Sequence, residues 1–432
     1  MKDLLLRQVH VIDPGGPHHD AVVDVLLKNG RFAQIGSKIS AGETPVLDGK
    51  GMHISPGWVD LQAHFRDPGE EYKEGIANGL DAAAAGGFTA VAVLPSTEPV
   101  MDSRASIQYL IRKSSGHAVQ ALPTGTLTKG LKGQQLAELF DLHQAGAVAF
   151  PDDRHAVRNA RLMMLALQYA KGFGGLVISF PNDPDLSAGG QMHESPMSAR
   201  LGLKGIAPEA EAIALMRDLA LLEYTGGRLH VSTVSTAQGV ALIRDAKQRK
   251  LAITASVAAH QLLLDDGCLR GFDTNYKVMP PLRDQQHMEA LREGVKEGTI
   301  DVVVSDHRPE DVEHKKVEFG QAAFGMIGLE TSYAAANTAL RGRMNVRRMV
   351  ERFCHGPRAV LRMDVPHIAK DTEAEITLFD PEVDWTFGTD DIRSASRNTP
   401  FIGQHFVGRP LGIVARGKAV LAPALRESVP GR

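Results

Sequence analysis

From residue 88 onward, short apolar runs rich in Val, Ile and Ala alternate with stretches whose apolar residues recur at helical spacing. This is the sequence form of repeated βα units around a parallel sheet. The runs span Phe88–Pro95, Val119–Thr128, Ala147–Asp153, Gly175–Asp183, Arg228–Ser235, Ala252–His260 and Asp301–Pro309, and Ile54–His64 adds an eighth. Eight units in about 300 residues predict an α/β protein with a (β/α)8 TIM barrel, and polar residues gather at the carboxyl ends of the runs, where barrels place their chemistry. The two ends of the chain read differently. Short strands with turn signals, such as Leu27-Lys-Asn-Gly-Arg-Phe32 and Ala374-Glu-Ile-Thr-Leu-Phe-Asp-Pro381, predict a small β-sandwich domain formed by residues 1–52 and 370–432, with the barrel at 53–369.

Composition narrows the partners more than the fold. With 432 residues, 43% hydrophobic and 23% charged, the chain can bury one large core and a smaller one. A net charge of −3 with both signs interspersed makes no polybasic footprint, so nucleic acid and anionic membranes are not expected as partners. Two cysteines, Cys268 and Cys354, make no disulfide framework. The first residues turn acidic too early for a signal peptide and no run approaches a membrane span, so a cytoplasmic location is expected.

The candidate chemistry lies in Asp60-Leu-Gln62-Ala-His64-Phe-Arg66-Asp-Pro-Gly69. Alternate side chains of an extended strand share a face, so imidazoles at i and i+2 could grip one metal ion. Here the first of that pair is Gln62, and an amide oxygen is a poor replacement for imidazole on zinc.

Ten further segments, in order, complete a pattern: Pro56-Gly-Trp-Val-Asp60, Phe65-Arg-Asp-Pro-Gly69 with Lys73-Glu74, Pro95-Ser-Thr-Glu-Pro99, Thr128-Lys-Gly-Leu-Lys-Gly133, Phe150-Pro-Asp-Asp153, Val234-Ser-Thr236, Pro280-Pro-Leu-Arg283, Ser305-Asp-His307, Gly325-Met-Ile-Gly-Leu-Glu-Thr331 and Asn398-Thr-Pro-Phe401. Nearly end to end, the chain resembles the type I dihydroorotases of the cyclic amidohydrolase superfamily, which interconvert carbamoyl aspartate and dihydroorotate. The resemblance implies an amidohydrolase-type barrel whose metal ligands come from strands one, four, five, six and eight. His64, Asp153 and Asp306 stand at three ligand positions, Asp306 at that of the catalytic proton shuttle. Gln62, Phe180 and Thr233 stand at three others, where the family has histidine. Arg66 keeps the place of the guanidinium that binds the substrate's carboxylate, although Ser96 and Met279 replace two asparagines that assist it. The alternative for Arg66 is an exposed ion pair with Asp67 or Glu70.

Three histidines remain as possible substitutes. His230, three residues from Thr233, falls on the opposite face of its strand and reads as structural. His260 reads as solvated or as supporting the site from behind, and His307 alternates away from Asp306.

What is missing matters as much as what remains. The likeness extends to inactive dihydroorotase homologues that lack metal histidines and associate with aspartate transcarbamoylase. It implies a pseudo-enzyme with no cofactor, homo-oligomeric within a mixed assembly containing the transcarbamoylase catalytic subunit. The competing function is an active zinc-dependent dihydroorotase, or another cyclic amidohydrolase, with a rebuilt site.

Overall fold

The computed structural model describes residues 3–428. Eight short parallel strands form the barrel: Trp58–Ala63, Phe88–Val93, Gln120–Pro123, Phe150–Pro151, Val177–Ser179, Leu229–Val231, Ile253–Ala258 and Val302–Val304. They pair as a run of three and a run of five. The runs join where Val148 donates to the Pro123 carbonyl at 2.9 Å and where Ala63 bridges His307. Val59, Leu61, Ala90, Ala92, Leu122, Ile178, Val302 and Val304 pack together inside, the branched filling expected of a closed barrel.

Helices follow the strands because the sequence caps them. Asn159, Thr236 and Asp284 accept backbone N–H bonds at the starts of Ala160–Lys171, Ala237–Gln248 and Gln285–Glu297, satisfying donors a helix start leaves free. Gly226 ends the long helix Glu209–Thr225 at φ 63°, in the left-handed region glycine enters without steric cost.

The terminal segments meet in one eight-stranded mixed sheet built from Leu4–Val11, Val22–Lys28, Arg31–Gly36, Val46–Asp48, His53–Pro56, Ile376–Thr386, His405–Ala415 and Lys418–Leu421. The predicted strand Ile54–His64 is therefore two. His53–Pro56 runs parallel to the first terminal strand and antiparallel to Ile376–Thr386, and the barrel strand begins only at Trp58. Gly57 sits between them, where a Cβ would lie 2.2 Å from the Thr89 hydroxyl. Trp58 then packs on Tyr333, Phe379 and Phe353 with ring centroids 4.6, 5.2 and 5.4 Å away. This aromatic cluster cements the barrel base to the terminal sheet and leaves the opposite, carboxyl end of the strands to carry polar groups.

Candidate functional site at the barrel mouth

Arg66, Asp153 and Asp306 leave the ends of strands one, four and eight in left-handed backbone, with φ of 59°, 51° and 47°. Such conformations are uncommon outside glycine and cluster at sites whose side chains must be aimed. Strand one is also irregular, with a register shift between Asp60 and Ala63. The even-numbered face expected over residues 60–66 is broken in consequence. Asp60 turns to strand eight, accepting from the Ser305 N–H at 2.7 Å and hydroxyl at 2.8 Å, and burial raises its carboxyl to about 6.

Each expected metal-ligand carboxylate is held by an arginine. Arg154 donates from one nitrogen to both oxygens of Asp306, at 2.8 and 3.1 Å. Gln62 Nε2 donates to the same carboxylate at 2.8 Å, while its amide oxygen accepts from the Ser232 hydroxyl. Arg308 donates to Asp153 at 2.5 Å, and the Ser96 hydroxyl donates to the other oxygen. Burial alone would raise the Asp153 carboxyl, but the Arg308 charge holds it well below the usual carboxylate range. Burial and the like charge of Arg308 lower Arg154 to about 10, so it remains a cation at neutral pH.

A second lattice adjoins the first. Arg66 binds Glu70 at 2.9 Å, Glu310 and the Pro309 carbonyl at 3.1 Å. Lys73 reaches Glu70 at 2.6 Å and Glu310 at 2.9 Å. The exposed pair expected for Arg66 is corrected: its side chain is buried, Glu310 is an additional partner, and Asp67 instead binds Lys113 at 2.8 Å. Burial makes a pair with two carboxylates necessary, since a lone guanidinium out of water would be costly. Asp153, Asp306, Glu70 and Glu310 thus face Arg66, Lys73, Arg154 and Arg308, four charges of each sign.

The histidines have committed nitrogens. His64 Nδ1 accepts from the Arg66 N–H at 3.0 Å, so its neutral ring carries the proton on Nε2, which donates to the Ser96 carbonyl at 2.9 Å. Burial, then the charges of Arg66 and Arg308, hold that ring neutral. His230 bonds Thr254 Oγ1 at 2.9 Å between strands six and seven, and burial lowers it to about 3, the structural role its spacing predicts. His260 is buried beside the mouth and not solvated, lowered to about 4 mainly by burial with Asp306 opposing. His307 accepts from Gly328 and Leu329 N–H at 3.2 and 3.4 Å, behind strand eight. Thr233 is buried, while Phe180 and Met279 are half-buried.

These residues do not fit the metal that the likeness implies. His64 has no free lone pair, the Gln62 amide turns its nitrogen to Asp306, and both aspartates already carry a cation in hydrogen-bonding contact. Among the described residues, the one trio of metal-type donors within 4.8 Å of one another is His193, Asp284 and His287, none of them among the expected ligands. That trio fails a tautomer test as it stands. His193 Nδ1 accepts from Arg283 at 3.1 Å and His287 Nδ1 from the Ala237 N–H at 3.0 Å, which places the neutral rings' protons on the Nε2 atoms that would bind the ion.

Arg154, Arg308 and Glu310 were not among the sequence candidates, although a signal exists. Asp153-Arg154 and Asp306-His-Arg308 set a permanent cation next to each expected metal carboxylate. Ser96, read as a lost helper of Arg66, instead bridges His64 and Asp153.

Among the described residues no helix is long and apolar enough to cross a membrane. The family described as dihydro-orotase-like matches residues 51–239. A dihydroorotase of Geobacter metallireducens is 40% identical over 421 residues, covering 97% of this chain and 99% of the relative. One from Pelotomaculum thermopropionicum is 42% identical over 420 residues, covering 97% and 98%. Among solved structures, the L-hydantoinase (dihydropyrimidinase) of Arthrobacter aurescens superposes with a TM-score of 0.83 at 23% identity, covering 98% of this chain and 96% of its own. A D-hydantoinase gives 0.80 at 22%, with 97% and 95% covered. Those two establish the amidohydrolase barrel fold, and the near full-length identity to dihydroorotases establishes more: the chain belongs to the dihydroorotase family.

Proposed function

We propose that this chain is a dihydroorotase-family protein of pyrimidine biosynthesis that works without metal-dependent turnover, as an assembly subunit for the catalytic subunit of aspartate transcarbamoylase. One observation carries the first half: Arg154 on Asp306 and Arg308 on Asp153. Ring opening or closure of a cyclic amide in this family depends on a metal to polarise the carbonyl and acidify bound water, and a guanidinium can do neither with its charge spent on a buried carboxylate. Arg66 is equally engaged, so a substrate carboxylate would have to displace Glu70 and Glu310. The second half draws its support from the likeness, in the missing ligand positions, to dihydroorotase homologues that associate with that enzyme. A cytoplasmic location accords with this role.

The names of the relatives favour a second reading, an active zinc-dependent hydrolase of cyclic amides. It requires Arg154 and Arg308 to leave their carboxylates when zinc arrives. Dihydroorotate cleavage with and without excess zinc separates the two. Background rates and no bound zinc are expected; turnover near about one per second, abolished by Asp306→Ala, would overturn the proposal. The partnership is tested by assaying aspartate transcarbamoylase alone and with this protein, with masses from light scattering. Equal activity and no mixed species would overturn it.

A further inference from the structure

In the segment that follows strand eight, two ammonium groups are buried without a counter-charge. Lys315 is 6% exposed and donates to the Ala323 and Gly325 carbonyls, both at 3.0 Å, with no carboxylate in ion-pair contact among the described residues. Lys277, 2% exposed, donates to the Phe319 and Gly320 carbonyls at 2.6 and 3.2 Å, lies 4.7 Å from the centroid of the Phe324 ring, and lacks a carboxylate in the same way. Burial lowers both to about 8, so each is still a cation at neutral pH. A buried charge without a partner is costly, and a ligand from outside the chain can supply the missing one. A cavity of about 600 Å³ lies against Lys315, within the range of small-molecule sites.

The surroundings of that cavity carry a positive surplus in a chain whose net charge is −3. Exposed Lys316 and Arg397 join Lys315 in the lining, and Arg397 donates to the Thr389 and Ile392 carbonyls without an ion pair among the described residues. Of the three carboxylates there, Glu310 is already shared by Arg66 and Lys73, which leaves Asp273 and Asp311. With Lys277 behind, four cations stand against two carboxylates. Tyr72, 64% exposed, and Val312 add an apolar wall. We propose that this cavity binds a nucleoside phosphate, with its phosphate on Lys315, Lys316 and Arg397 and its base stacked on Tyr72. Each part of that ligand answers a feature of the lining. Lys315 has spent two of its three N–H donors on carbonyls, leaving one for a phosphate oxygen, and the fork of Arg397 matches phosphate geometry. A phosphate monoester brings a charge of about −1.5 to −2 at pH 7, which offsets the surplus. The Tyr72 ring offers a stacking face to any base, and the Asp273 carboxylate can accept from sugar hydroxyls.

The inference goes beyond the proposed role and stands apart from the ion pairs of Arg154 and Arg308. Isothermal titration of the full chain with UMP and with AMP, in phosphate-free buffer, is expected to give a Kd of about 100 μM or tighter for each. Inorganic phosphate and ribose 5-phosphate should each bind at least about tenfold more weakly, since neither carries a base to stack. Tyr72→Ala should weaken both nucleotides about tenfold and leave ribose 5-phosphate unchanged. Lys316→Ala with Arg397→Ala should weaken nucleotides and ribose 5-phosphate alike, by at least about tenfold. All three side chains are exposed, so the variants should keep the wild-type melting temperature, and lost binding is then not lost fold. No binding of either nucleotide at about 1 mM, ribose 5-phosphate as tight as UMP, or variants that keep the wild-type Kd would overturn the site. None of these results would touch the zinc and dihydroorotate measurements, so failure here and failure of the proposed role are distinguishable.

Discussion

Removing Arg154 tests whether a guanidinium has taken over the charge balance of the mouth. In Arg154→Ala, Asp306 keeps the 2.8 Å bond from Gln62 but loses its cation while 98% of its surface stays covered. Truncating one partner of a buried pair leaves the other charge uncompensated and costs about 3–5 kcal/mol. The retained Gln62 bond puts the expectation at the lower end, about 3 kcal/mol at neutral pH. Replacing both partners, Arg154→Ala with Asp306→Asn, removes the orphaned charge, so the double variant should recover about 2 kcal/mol relative to the sum of the single changes. Urea unfolding followed by fluorescence is suited to the measurement, because the two tryptophans report separate regions: Trp58 at the barrel base and Trp385 in the terminal sheet. A loss below about 1 kcal/mol in the single variant, or simple additivity in the double, would refute the claim that Arg154 neutralises a buried charge.

Restoring donors alone should fail: Gln62→His, Phe180→His and Thr233→His together are expected to show no zinc binding by calorimetry, whereas adding Arg154→Gly and Arg308→Ala should produce it. Ser96→Ala leaves Asp153 and His64 each one hydrogen bond short and should cost about 1–2 kcal/mol in the same urea assay. Buried His230 and His260, held at about 3 and about 4, are protonated in the unfolded chain first, so their contribution is lost as pH falls from about 6.5 toward 4. Asp60 and Asp152, raised to about 6 by burial, work the other way over the same range, since the folded state protonates them first. Thermal melts of His230→Asn with His260→Gln should therefore show a shallower acid decline than the wild type, and an unchanged slope would count against those two histidines.

What the sequence determined by itself was the barrel and a β-domain drawn from both termini, although that domain is one mixed sheet and not the expected sandwich; the positions at which metal ligands are expected came from the resemblance. The barrel and the terminal strands are written in local pattern, in two-residue and helical periods and in turn signals such as Asn29-Gly30. Strand limits were less legible, since Gly57 divides an apolar run that reads as one strand and only pairing with Ile376–Thr386 shows where the first part belongs. What tertiary structure alone decided was the partner of each charge. Arg154 meets Asp306 across 152 positions and Arg308 meets Asp153 across 155, and Arg66 trades the adjacent Asp67 for Glu310, 244 positions away. Local pattern carries no information on such pairings, because they arise from the convergence of strands one, four and eight. That convergence, in a buried space where a charge without a counter-charge would be costly, closes the ionic lattice.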